Sequence, residues 1–180
     1  MRSLLSFTLF AIVLVFAAAA EAQVPAEARD APEPQVISEY HYLTLLRMPH
    51  MEAVSTARQV RMTTERPEMR ALADSVIAAL EEDIHQIERF LATRYPGEPL
   101  EVPFDAVMRR LEGAPPDQAD HIFIEDLIIH HEMSIEASRE LLEADEEVSP
   151  DVREFASQTI ENMERGLERL RGLEQELSDR

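Results

Sequence analysis

The feature that most constrains this chain is that it repeats itself, and does so with helical periodicity. At a spacing of 81 residues Glu39 lies over Asp120, Tyr42 over Phe123 and Leu46 over Leu127. The same spacing sets His50 over His131, Val54 over Ile135 and Arg58 over Arg139. At a spacing of 83, Arg70 lies over Arg153, Ala73 over Ala156, Ile77 over Ile160 and Glu81 over Glu164. The two-residue change falls in a loop between helices, where an insertion disturbs least. Leu72, Val76, Leu80, Ile84, Ile87 and Leu91 recur at helical spacing, as do Phe155, Ile160, Met163, Leu167, Leu170 and Leu177. No stretch sustains the alternation of a strand. A helix with one apolar stripe must bury it, and two hairpins can do so against each other. The predicted fold is all-α, an antiparallel four-helix bundle over residues 38–177.

Punctuation residues place the boundaries. Ser38 is an N-cap for a first helix running to about Met62. Pro67 opens a second, which ends before Tyr95-Pro96-Gly97. The third follows Pro115-Pro116-Asp117, and the fourth starts at Ser149-Pro150-Asp151, a cap followed by proline. The repeats are therefore 38–95 and 117–177, joined by a linker over 96–116 that is expected to run along the outside. Phe104 to Leu111 within it has the pattern of a short amphipathic helix.

Ahead of the bundle, Arg2, an apolar run from Leu4 to Ala20 and the small-x-small Ala20-Glu21-Ala22 read as a secretory signal peptide over residues 1–22. QVPAEARDAPEPQ, from Gln23 to Gln35, reads as part of a disordered tether over 23–37. The expected location is periplasmic or secreted. No cysteine is present, so any metal must be held by His, Met, Asp or Glu. With 36 acidic residues against 17 basic ones, the net charge of −19 argues against nucleic acid and against a membrane surface as partners, and leaves cations open. All the basic residues are arginine, which excludes chemistry on a lysine amine.

Two adjacent histidines carry the chemical question. His130 falls on the core stripe of the third helix with Phe123, Leu127 and Ser134, and His131 falls at its edge with Ser138. The serines keep that stretch small and leave room for a polar pocket in the bundle. Through the repeat, His50 sits near the middle of the first helix as His131 does in the third, so His50, His130 and His131 can converge. Met51 and Met133 follow closely; thioether with imidazole selects copper, Cu(I) above all. Methionine in a bundle is more often packing, and a buried histidine more often hydrogen-bonded than ligating. Asp120 lies too far along the helix to share an ion with His131 and suits the helix start. His41, His85 and His121 read as surface or edge residues.

Asp120-x-x-Phe123, Leu127-Ile128-x-His130-His131 and Ser134-Ile135-x-Ala137 together resemble the bacterial secreted family known as domain of unknown function 305. That resemblance spans nearly all of 38–177 and implies a ferritin-like bundle; CopM-like proteins similar to the family bind copper in the periplasm. The first copy departs from the pattern, with Arg47-Met48-Pro49-His50-Met51 holding one histidine where the second holds two. The expected function is non-catalytic copper binding for storage, buffering or resistance. Two other readings stay open. One is a helical interaction module without metal. The other is a di-metal carboxylate oxidase, for which Glu82-x-x-His85 supplies half a motif that the histidine-free fourth helix does not complete.

Overall fold

Three of the four helices begin on a proline. Its fixed φ is already helical and its missing N–H is one that a first turn cannot pair anyway. In the computed structural model, which describes residues 37–100, 102–144 and 147–179, these are α2 (Pro67–Arg94), α3 (Pro116–Glu143) and α4 (Pro150–Ser178). α1 (Glu39–Thr63) starts differently: the Ser38 side chain accepts from His41 N–H at 3.2 Å. No strand occurs among the described residues, and the fold is the expected all-α, antiparallel four-helix bundle. The expected signal peptide lies outside the described residues, as does the tether except for Ile37. Ile37 is buried in the core, so it belongs to the bundle rather than the tether.

Helix pairs pack within each hairpin, α1 on α2 and α3 on α4, and the hairpins meet through α1 and α3. The meeting is antiparallel. Tyr42 touches Ser138 at 3.0 Å, the rings of His50 and His130 stand 4.9 Å apart, and Thr64 donates to Asp120 at 2.9 Å. Tyr42 is eight residues before His50, and Ser138 is eight after His130. The point about which the two repeats exchange therefore lies at these histidines.

Asp120 does more than face a helix dipole. It is buried and accepts the hydroxyl of Thr64, the C-cap of α1. Its repeat counterpart Glu39 does the reciprocal job at the other end, accepting the N–H of Ser149 at 2.7 Å and the Ser149 hydroxyl. Ser149 thus stands at the N-cap position of α4 without capping it; its side chain is spent on the other repeat. Each hairpin holds an acid near the start of its first helix and a hydroxyl in its loop, and each pair crosses between repeats.

The linker corrects one expectation. Residues 104–111 form no helix. The N–H groups that a helix would use go to carboxylates on the bundle: Val107 and Met108 donate to Glu52 at 2.9 and 3.1 Å, and Arg109 donates to Asp126 at 2.6 Å. Arg109 adds its side chain to Asp126 and Glu125. The segment crosses α1 and α3 on the outside as expected, but it also plants Met108 and Leu111 in the core.

Candidate metal centre

The apolar interior is divided in two. One cluster gathers Val54, Val76, Phe123, Leu127 and Leu170, and the other Tyr42, Leu46, Leu91, Leu141 and Phe155; each draws on all four helices. Between them lies a layer built from His50 on α1, Asp83 on α2, and His130, His131 and Ser134 on α3. The wheel position predicted for the doublet is correct, and the serines leave the expected room. Ser134 and Ser138 turn their hydroxyls back to the carbonyls of His130 and Ser134, at 2.8 and 2.7 Å, so neither hydroxyl donates to the imidazoles.

The three imidazoles are together. His50 and His130 are fully enclosed with ring centroids 4.9 Å apart, and His130 and His131 stand at 5.7 Å. Among the described residues, all four ring nitrogens of His50 and His130 lack a hydrogen-bond partner. His131 is fixed by a 2.7 Å contact from Nδ1 to the carbonyl of Leu127. A carbonyl only accepts, so Nδ1 carries the proton and the Nε2 lone pair is left free. Nε2 points at α4, where a Cβ on Gly166 would lie 2.4 Å from it. Glycine in mid-helix destabilises by about 1 kcal/mol relative to alanine, and here it makes the space in which the ring sits.

Burial keeps all three rings neutral. It drives His50 down to about 3, helped by the neighbouring His131. Burial also lowers His130 well below the usual range, with His50 and His131 adding to it, and lowers His131, whose bond to Leu127 opposes the shift. Neutral imidazole is the form that binds metal. Asp83 Oδ2 stands 3.9 Å from His50 Nε2, and burial, then Glu82, pushes its carboxyl up to about 6. No three of the described His, Asp or Glu side chains already converge at coordination spacing. Binding an ion here therefore requires the rings to turn, and the unpaired nitrogens of His50 and His130 leave them no hydrogen bond to break in doing so.

The layer opens to solvent between α2 and α4. α2 and α4 hardly touch, and the groove between them, about 670 Å³, is walled by Leu72, Val76, Leu80, Met163 and Leu170, with His131 and Asp83 along it.

Residues 102–174 match the family described as Domain of unknown function (DUF305). The match covers the second hairpin and the linker ahead of it. Solved structures place the first hairpin in the same architecture. CopM in its Cu(II)-bound form matches at 17% identity and a TM-score of 0.59, covering 77% of this chain and 96% of its own. CopM in its Cu(I)-bound form matches at 18% and 0.64 over the same shares. A DUF305 protein from Streptomyces coelicolor matches at 17% and 0.68, covering 79% and 96%. No curated protein matches the sequence.

Of the residues singled out in the sequence, the two hairpins bring His50, His130 and His131 together. They leave Met51 and Met133 at the surface, 40% and 46% exposed. His41 and His85 are exposed and His121 is half-buried, as expected. Glu82 is exposed beside His85 and does not face the interior. Sequence reading missed Asp83 and Gly166. The repeat register contained both, because the spacing of 83 that aligns α2 with α4 sets Asp83 over Gly166.

Proposed function

We propose that this protein is an exported copper-binding protein that holds the ion between its two repeats at His50, His130 and His131, for storage, buffering or resistance. One observation carries the reading: two enclosed imidazoles with every ring nitrogen unpartnered, beside a third whose free lone pair faces a glycine. Buried polar groups left unpaired destabilise a fold by about 1–3 kcal/mol each, and a bound ion is what restores partners to a cluster of neutral imidazoles. The Cu(I)- and Cu(II)-bound forms of CopM, which share the fold, support the choice of metal. Met51 and Met133 lie at the surface, so they join the centre only by swinging inward, where their thioethers would serve Cu(I) more than Cu(II). The leader-like N-terminus supports export, and no described helix is long and apolar enough to cross a membrane.

Metal content of protein purified from its native compartment separates this from the other readings. Copper supports it, two iron or manganese ions per chain point to an oxidase, and metal-free protein to an interaction module. Titration against a chromogenic chelator, in reducing and in oxidising buffer, tests the ligands. Replacing His130 and His131 together by alanine should lower copper affinity at least a hundredfold, and His50→Ala should weaken it less. Met133→Leu should weaken Cu(I) more than Cu(II). A double histidine variant that bound copper like wild type would make the doublet a packing feature.

A further inference from the structure

The two repeats do not offer the same group to their histidines. His50 and His131 occupy equivalent places in α1 and α3, and Asp83 and Gly166 equivalent places in α2 and α4. The contacts follow that register. Gly166 lies against the His131 ring, and Asp83 lies 3.9 Å from His50 Nε2. One copy leaves the space beside its imidazole free of any side chain; the other puts a carboxylate there.

We propose that Asp83 is an oxygen donor to the histidine centre and makes that centre select a divalent cation over a monovalent one. The inference rests on His50, His130 and His131 being ligands. A gap of 3.9 Å is too long for a hydrogen bond. It fits two donors on one ion, since donors each about 2 Å from a shared metal lie at most about 4 Å apart. Three neutral imidazoles leave the full charge of a divalent ion uncompensated in an enclosed layer, where charge is expensive. One carboxylate removes half of it. A monovalent soft ion is already satisfied by nitrogen or sulfur and gains little from hard oxygen. Placement agrees as well: Asp83 and His131 both line the α2–α4 groove, so the carboxylate stands where an ion arriving from solvent reaches the histidines.

The test uses Cu²⁺ and Ag⁺ as probes on the full chain, by competition titration, with wild type, Asp83→Asn and the His130→Ala, His131→Ala pair. Asparagine keeps the shape and removes the charge, and a thermal melt of each metal-free protein checks folding. Asp83→Asn should lower Cu²⁺ affinity at least tenfold and change Ag⁺ affinity less than threefold. Equal losses for both ions would overturn the selectivity. Unchanged Cu²⁺ binding in Asp83→Asn, with loss in the histidine pair, would remove Asp83 from the centre while leaving the histidines in it. Wild type binding neither ion would overturn the histidine centre itself, and Asp83 as donor with it.

Discussion

An imidazole enclosed with both nitrogens unpaired destabilises the fold that holds it. His130 is such a residue, set between the two apolar clusters. His130→Leu replaces it with an apolar side chain of similar volume and should raise the stability of the metal-free protein by about 1–2 kcal/mol. Urea unfolding at neutral pH measures this, and a destabilised variant would show that the ring is better satisfied than its surroundings suggest. The same substitution should remove metal binding. Pro49 shows the reverse accommodation. It occupies the place in α1 that His130 holds in α3, so the two repeats bring three imidazoles to their meeting point rather than four.

Helices and linker differ in how they are specified. The four helices were legible because each declares itself locally, by a proline or serine at its start and an apolar residue every third or fourth position. His50, His130 and His131 were legible because wheel position and repeat register place them together. The linker was not, because its conformation is set by Glu52 and Asp126, far away in sequence, and the amphipathic pattern of 104–111 instead serves to drop Met108 and Leu111 into the core. Asp126 is buried and receives both the backbone N–H and the Nε of Arg109. Asp126→Ala leaves both donors without their acceptor and should destabilise by about 2–3 kcal/mol, with new protease cuts confined to the linker. Limited proteolysis read by mass spectrometry locates them. The exposure of Met51 and Met133 was illegible for another reason: next to a buried histidine, a helix position one or two residues on can face either way. Asp83 and Gly166 were passed over because a repeat is found by matching like residues, and these two are unlike.

At the scale of the whole molecule the buried histidines set a pH dependence. His50 is held near 3 when folded against an ordinary 6.5, so in acid the unfolded chain takes up the proton first. The stability concerned is complete above pH 6.5 and is lost as pH falls from there toward 3. His130 and His131 shift the same way. Asp83, raised from 3.8 to about 6, acts oppositely: its contribution is complete below 3.8 and is lost as pH rises through 6. Arg169 on α4 faces His131 and further disfavours its charged form. Burial raises the Asp120 carboxyl too, so it acts with Asp83. Three histidines outweigh these two carboxylates, and metal-free protein should melt at progressively lower temperature from pH 6.5 down to 4. Calorimetry across that range checks it, and a flat profile would contradict the burial of the rings. The antiparallel meeting of α1 and α3 at His50 and His130 has a consequence of another kind. Two separate hairpins paired about such an axis would have to present identical residues on both sides of it. Joined in one chain, they are released from that identity, and each side is free to change without the other. Proline opposite histidine, and aspartate opposite glycine, are combinations that no symmetric pair of hairpins can hold.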